Sequence, residues 1–555
     1  MPTIDVSYKD LCKLIGRPIS HTELQEKAVL FAKGEIDAIE GDMLKIDIKD
    51  TNRPDLWSVE GVAREIAGRY GRPGLPDYKT AKSDVKVTID PKLKNIRPYT
   101  VCAVVKNLSI TPEILSQMIQ LQEKVAGTYG RNRKEVAIGV YDLHKITPPI
   151  RFTTTKPEGI KFVPLEFARE MTPKQILKIH PKGKEFAHLL EDNEEYPIFI
   201  DNADEVLSMP PIINSDYTGK VTEKTKDIFI ECSGFNLKFL IPALNVIVSA
   251  LAERGGQIET VEVHMPGGKK LVTPDLTPKK TSVQTGFVNK LSGLNLNEKE
   301  ICRLLEQARY RTALKGKTIE LQYPAYRQDI MHPVDVVEDA IISYGYNKIE
   351  PVVPQLATVG SQTAREKFSD TVSQIMTGLG SQEIMSYILT SKANLFEKMN
   401  KPQEQVVEIE NIVSSNWCVF RNALLPELLE FLSQNKHVEY PQKIFEIGDT
   451  VLINQNRKTK TEDMRRISMA TSGNTAGYEQ VASDLDSLLQ NLGIKYRLKN
   501  TSHPSFIRGR TASVIINNRI AGIIGEINPL VLEKWDLEKP VAGFELDLGL
   551  IFELL

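Results

Sequence analysis

The sequence predicts a multidomain α+β protein, and three observations lead there. With 555 residues the chain exceeds what one hydrophobic core organises, and at roughly 150 residues per domain it holds about three or four. Apolar content of 41% and charged content of 26% are ordinary for globular domains. Three seams then break the chain. Gly71-Arg72-Pro73-Gly74-Leu75-Pro76 follows a helix and cannot continue it. The tract from His264 to Lys280 carries prolines, a Gly-Gly pair and two Lys-Lys pairs, and Pro351 to Thr363 is rich in proline and polar residues. The units predicted are 1–85, 86–270, 271–352 and 353–555, with no internal repeat or low-complexity tract.

In the first unit, Leu44 to Ile48 alternates as a strand. The turn Thr51-Asn52-Arg53-Pro54-Asp55 leads to Ser58 as helix N-cap. Val59, Val62, Ala63, Ile66 and Ala67 then fall on one apolar helix face. The second unit is the richest in strands: Val136 to Tyr141, Tyr196 to Ile200 and Asp227 to Cys232, with a helix near Ala243 to Leu251. The third opens on a helix capped by Asn297, with Glu300 as capping-box partner and Ile301, Leu304, Leu305 and Ala308 as its buried stripe. The fourth begins with an amphipathic helix carrying Phe368, Val372, Ile375, Met376 and Leu379, after which strands and helices alternate to the end.

Composition excludes several function classes. A formal net charge of -2 is not that of a protein coated in positive potential, so any RNA contact has to come from local basic strips. No run of 18 or more apolar residues is present to span a membrane, and the first residues lack the apolar core of a signal peptide. The five cysteines are scattered without a CxxC pair, which points to reduced thiols and a cytoplasmic location rather than to zinc or disulfides. The eight histidines show no metallohydrolase spacing.

The strongest chemical signal is the stretch from Arg327 to Asp339. Pro333 suits the first turn of a helix. Asp335, Glu338 and Asp339 then stand at i, i+3 and i+4 on one face, and Asp329 can fold back toward them. Two readings are open. Four carboxylates meeting without a cation repel one another, and hard oxygen ligands of this kind suit Mg²⁺. Acidic residues also simply favour the positive end of a helix dipole.

Asp329-Ile330, Asp335, Glu338-Asp339 and the following Tyr344-Gly345-Tyr346-Asn347-Lys348-Ile349 resemble the magnesium-site domain of phenylalanyl-tRNA synthetase β subunits. The resemblance continues along the chain in order. Asn52 to Leu56 with Val59 to Glu65 is similar to the N-terminal motif of that family. Gly130-Arg131-Asn132-Arg133-Lys134 with Val136 to Asp142 is similar to the start of its editing domain, and Ser208-Met209-Pro210-Pro211-Ile212-Ile213-Asn214-Ser215 to the core of that domain. Arg421, Leu424-Leu425-Pro426 and Phe445-Glu446-Ile447-Gly448 resemble its catalytic-like module, and Gly525 to Pro529 the C-terminal part. Length and plan look like the archaeal and eukaryotic type.

The resemblance implies an N-terminal α+β domain over 1–85 and a tRNA-hydrolysing editing domain over 86–270. It further implies a small winged-helix-like magnesium-site domain over 271–352, and a catalytically inactive module over 353–555 resembling the antiparallel sheet of class II synthetases. Asp329, Asp335, Glu338 and Asp339 would hold Mg²⁺ near a separate α subunit of an α2β2 tetramer, and ATP and phenylalanine would bind that subunit. An apolar pocket rejects an added hydroxyl only about a hundredfold, so mischarged Tyr-tRNA(Phe) needs a second, hydrolytic site. By motif, that pocket contains Ser208, Glu231 and Ser233, where Glu231-Cys232-Ser233 stands in place of the Asp-x-Thr of many relatives. Read from residues alone, Glu231 is an exposed strand-end charge rather than a pocket group. Arg131, Arg133 and Lys134, with the lysines near 269 and 279, are either tRNA-backbone contacts or a solvated loop. Strand alternation turns Cys232 away from Glu231, into the core. The tail Ala542 to Leu548 offers acids where a triphosphate would need arginine, so no adenylate is expected on this chain. A stand-alone editing hydrolase and a non-catalytic tRNA-binding scaffold are the alternative functions.

Overall fold

A computed structural model describes residues 2–555, in two compact units spanning 2–353 and 354–555. The first unit opens with a three-stranded sheet built from Thr3–Ser7, Gly34–Glu40 and Met43–Ile48, with the last strand central. Ser58 caps the helix Val59–Arg69, its hydroxyl accepting the Gly61 N–H at 3.1 Å. That helix buries Val59, Val62, Ala63, Ile66 and Ala67 as the periodicity predicts, but it is covered on its other sides too, with Glu60, Arg64 and Glu65 buried.

A ten-stranded sheet follows and occupies most of the unit. Thr80–Ile89 pairs in parallel with Gln257–His264, and Ile228–Gly234 lies antiparallel between Tyr99–Lys106 and Val136–Asp142. The two faces of Ile228–Gly234 differ in company. Ile228, Ile230 and Cys232 join a core with the helix Leu237–Glu253 and the N-terminal domain, while Phe229 packs into a second core with Val104, Tyr141, Phe152 and Phe199. Each large aliphatic or aromatic side chain buried in these cores contributes about 1.5–3 kcal/mol.

The seams expected at 85/86 and 270/271 both fall inside strands of this sheet. The first cuts Thr80–Ile89. The second cuts Lys270–Thr273, which pairs with Gln257–His264 around the turn Pro266–Gly268. The Pro-, Gly- and Lys-rich tract is therefore a hairpin, and the sheet runs from Thr80 to Thr273.

The remainder of this unit is a three-stranded antiparallel sheet of Lys279–Gln284, Arg311–Lys315 and Thr318–Tyr323 with helices Thr285–Ser292, Glu298–Gln307 and Pro333–Tyr344. Asn297 and Glu300 form the expected capping box. The second unit is built on a seven-stranded sheet whose long strands are Gln442–Ile453, Thr461–Ser472, Phe506–Ile516, Arg519–Ile527 and Val541–Asp547. Val372 and Met376 of the helix Ala364–Gly378 pack on one face of it with Ile467, Met469 and Phe544. Among the described residues no helix is long and apolar enough to cross a membrane.

Candidate functional site

Two strands bring the sequence-predicted pocket together. Glu231 sits mid-strand in Ile228–Gly234, where the ladder sets it opposite Gly139. Ser208 sits on Val206–Met209, near the far end of the same sheet. The sheet curls until these ends meet: the Tyr141 hydroxyl lies 2.7 Å from Ser208 Oγ and donates toward Glu231 Oε1 at 3.3 Å. Gly139 makes that meeting possible. A Cβ there would stand 2.1 Å from the Tyr141 oxygen and 2.8 Å from Glu231 Oε1, so only hydrogen fits.

Glu231 is 2% exposed, and its Oε2 is buried without a hydrogen-bond partner. Burial pushes its carboxyl up to about 7, against the pull of the Arg97 guanidinium and the Ser233 and Tyr141 hydroxyls. Ser233 is fully buried beside it, and its hydroxyl accepts from Arg97 Nε at 3.0 Å. Arg97 also donates to the carbonyls of Arg133 and Lys134 at 3.2 Å each. Above Glu231 and Ser208 opens a cavity of about 280 Å³, lined further by Pro210, Pro211, Ile212, Ala137 and Met118. The wall mixes these apolar groups with Gln122, Arg133, Lys182 and Asn214, a combination of apolar surface and a few polar groups that suits a small-ligand site. Cys232 points the other way, fully buried, with its thiol pushed up by that burial.

The basic strip divides. Arg131, Asn132 and Arg133 are consecutive residues at positive φ (50°, 52° and 64°), a backbone that non-glycine residues seldom adopt. Arg133 is tied down: it donates to the carbonyls of Pro211 (3.3 Å) and Ile212 (2.9 Å), pairs with Glu123 at 2.9 Å and covers the Phe186 ring. It holds the wall of the cavity. Arg131 and Lys134 are exposed.

The four predicted metal ligands do not share a centre; among the described residues no three potential ligands converge. Asp329 is gripped by Arg327 at 2.7 and 2.5 Å, with Arg53 at 3.8 Å. Asp339 receives Tyr310 (2.6 Å) and Arg327 (2.9 Å). The guanidinium of Arg327 thus takes the place a cation would need between these two carboxylates, and it drives Asp329 well below the usual carboxylate range. Asp335 uses Oδ2 to accept the N–H groups of Met331 (2.8 Å) and His332 (2.7 Å), capping its own helix. Glu338, about half exposed, meets Lys33 at 3.0 Å through Oε2. Asp335 and Glu338 are therefore the two of the four that could still face a hydrated Mg²⁺, an ion that keeps most of its waters.

Sequence reasoning missed Tyr141, Gly139 and Arg97. Period-2 alternation from Glu231 across the Val136–Asp142 strand was the available signal for the first two; nothing local marks Arg97. In the second unit, the acids of the C-terminal strand do structural work. Glu545 accepts the N–H groups of Leu424 (2.9 Å) and Leu425 (2.8 Å), holding the start of the helix Leu425–Gln434, and pairs with Arg466 at 3.2 Å.

Comparison with known proteins agrees along the whole chain. Three family models match in succession: the B3/4 domain over residues 97–264, the tRNA synthetase B5 domain over 281–346 and the phenylalanyl-tRNA synthetase beta chain CLM domain over 349–548. The phenylalanine–tRNA ligase beta subunit of Pyrococcus abyssi is 49% identical, with all of both chains covered. That of Methanosarcina acetivorans is 40% identical over 99% of each. The crystal structure of an N-terminal fragment of the Pyrococcus horikoshii phenylalanyl-tRNA synthetase β subunit superposes with a TM-score of 0.61 at 50% identity, covering 62% of this chain and all of the fragment. With relatives this similar from end to end and three family models matching in succession, the chain belongs to the phenylalanine–tRNA ligase β-subunit family.

Proposed function

We propose that this chain works as the β subunit of a ligase that joins phenylalanine to tRNA(Phe) at the expense of ATP. In this reading the aminoacylation centre is on an α subunit within an α2β2 assembly, and the first unit of this chain hydrolyses mischarged Tyr-tRNA(Phe). One observation carries the editing assignment: a buried carboxylate, Glu231, borders a cavity with one oxygen unpartnered. A tyrosine side chain brings the hydroxyl that this oxygen lacks, whereas phenylalanine leaves it desolvated and unpaired, which disfavours the correct product. Ser208 lines the cavity beside Glu231, whereas Ser233 lies buried behind it, bound to Arg97. Among the described residues the cavity wall holds no histidine or cysteine, so the attacking group is a bound water rather than a side chain.

The family is generally Mg²⁺-dependent. Asp335 and Glu338 are the residues that would hold the ion here, where it supplies charge neutralisation at the protein surface. The test is Mn²⁺ binding followed by electron paramagnetic resonance on the wild type and on Asp335→Ala/Glu338→Ala, and unchanged occupancy in the double variant removes the assignment. Arg131 and Lys134 are the exposed members of the basic strip and fit tRNA phosphate contacts.

Editing is tested by deacylation of Tyr-tRNA(Phe) by the αβ complex. Wild type should clear it, and Glu231→Ala should accumulate Tyr-tRNA(Phe) while charging phenylalanine normally. If Glu231→Ala lowers phenylalanylation and leaves clearance intact, the pocket has been assigned to the wrong residues.

A further inference from the structure

A second cavity, of about 590 Å³, opens in the 354–555 unit, and nothing in the reading above uses it. Its walls include Met385, Tyr387, Trp417, Asn394, Glu427 and Glu430. Glu427 is only 4% exposed, yet its Oε1 has no hydrogen-bond partner. Glu430, one helical turn on, faces the same space and accepts only a long 3.3 Å bond from Asn394 Nδ2. Two carboxylates side by side with no cation between them are costly, and of the nearby cations only Lys398 lines the cavity. Arg421 is bound to Ser386 and Glu446 at 2.8 Å each, and the Lys398 amine lies over the Trp535 ring, 4.1 Å from its centroid. The mouth is aromatic: Tyr387 and Trp417 stand edge to face at 5.9 Å and are 76% and 51% exposed, beside Met385 at 95%. Large apolar groups exposed around an acidic pocket mark a surface that another protein covers.

We propose that this cavity receives an arginine or lysine side chain of the α subunit, held by Glu427 and Glu430 and flanked by the rings of Tyr387 and Trp417. The proposal rests on the reading that this chain pairs with α. Charge complementarity chooses the occupant: an acidic pair supplies the counter-ion, and aromatic faces favour a desolvated cation over any neutral group. The pocket also carries a pH signature. Burial raises the Glu427 carboxyl to about 7; Glu430 and Glu446 push the same way, while Thr390 and Arg421 oppose. Below that pH Glu427 is mostly protonated, and above it mostly ionised. A cation entering the pocket displaces the proton.

The experiment is the affinity of the full-length chain for its α subunit, measured from pH 6 to pH 8, for wild type, Glu427→Gln, Glu430→Gln and Trp417→Ala. Wild type should bind more tightly as pH rises through 7. Glu427→Gln should bind roughly thirtyfold more weakly at pH 8 and lose the pH dependence, while Trp417→Ala should weaken binding and keep it. Thermal melting of each variant alone verifies that it folds. Equal affinity of wild type and Glu427→Gln at pH 8 overturns the proposal while leaving the α pairing intact; no binding by wild type overturns the pairing itself. Titration of the isolated chain with argininamide separates the sources of the cation. Micromolar capture of this free amine, with α binding indifferent to Glu427, would make the cavity a small-molecule site and sink the proposal.

Discussion

At pH 7 the Glu231 carboxyl stands near its midpoint, so its charge is set by what surrounds it. The sign follows from linkage. A carboxyl raised in the folded state holds a proton that the unfolded chain releases, so stability falls as pH rises from about 4.5 to about 7. The span corresponds to roughly 3 kcal/mol, and Glu231→Gln should recover much of it, raising the melting temperature at pH 8 more than at pH 5. Editing runs the opposite way, since the ionised form is the better acceptor of a phenol proton. Tyr-tRNA(Phe) hydrolysis by wild type should therefore increase between pH 6 and pH 8. A hydrogen bond to a charged acceptor is worth about 1.5–3 kcal/mol, so Glu231→Ala should slow hydrolysis about ten- to a hundredfold. Tyr141 tests the geometry around that charge. Its hydroxyl donates toward Glu231 Oε1 and meets Ser208, so Tyr141→Phe removes a partner that favours the ionised form. The pH profile of editing should move upward in Tyr141→Phe; a profile that keeps its midpoint while activity drops would make Tyr141 merely structural.

Among the elements, the turn Pro54–Leu56 and the segment before helix Pro333–Tyr344 share a construction. Each carries Arg-x-Asp, Arg53-Pro54-Asp55 and Arg327-Gln328-Asp329, and in each the arginine grips its own aspartate bidentately. Arg53 reaches Glu65 at 3.2 Å and Asp329 at 3.8 Å, joining the two into one buried charge lattice. Arg69 and Arg53 hold Glu65 down to about 2. Carboxyls held low stabilise the fold above their unfolded pKa and lose that contribution as pH falls toward the folded value. Acid unfolding of this lattice should therefore lie between about pH 4.5 and pH 2. Arg327→Ala strips Asp339 of its guanidinium and leaves Asp329 only the 3.8 Å contact with Arg53, which should cost about 3–5 kcal/mol in urea unfolding. Arg327→Ala with a loss under about 1 kcal/mol would mean the lattice does not hold the domains together. The lattice also explains what the sequence could and could not convey. Local chemistry was legible: Ser58, the Asn297–Glu300 box and the start at Pro333 are decided within four residues. Spacing put four carboxylates near one helix, but Asp329 and Asp339 are taken by Arg327, and Arg53 and Lys33, which reach Asp329 and Glu338, come from the far N-terminal part of the chain. The repeated Arg-x-Asp was the only trace. Likewise, the pairing of Thr80–Ile89 with Gln257–His264 is a long-range event, so a Pro-Gly-Gly turn read as a linker.

At the scale of the molecule, the two units carry separate cores, and residues 350 to 363 between them are exposed without regular structure. Val352, Val353 and Val359 in that stretch are 85% or more exposed, so cutting there breaks little packing. A relative's N-terminal fragment of nearly this extent crystallised by itself. The cluster around Glu231 draws on residues 97 to 233 and the charge lattice on residues 53 to 339, so both lie in the first unit, whereas the acidic cavity and its aromatic mouth lie in the second. Editing and assembly should therefore separate physically. A fragment of residues 1–353 should fold cooperatively, with its own urea transition, and should hydrolyse Tyr-tRNA(Phe) without binding α. Its editing should be slower than that of the complex, because a net charge of only -2 over the whole chain provides no general attraction for tRNA and contacts from other surfaces are lost. Residues 354–555 alone should still be captured by α, with the pH dependence of the intact chain. The measurement is deacylation and size-exclusion chromatography on both fragments beside the full chain. If residues 1–353 fold but clear no Tyr-tRNA(Phe) even at high concentration, the Glu231 cavity needs the second unit or α to complete it, and hydrolysis is a property of the assembly rather than of this unit.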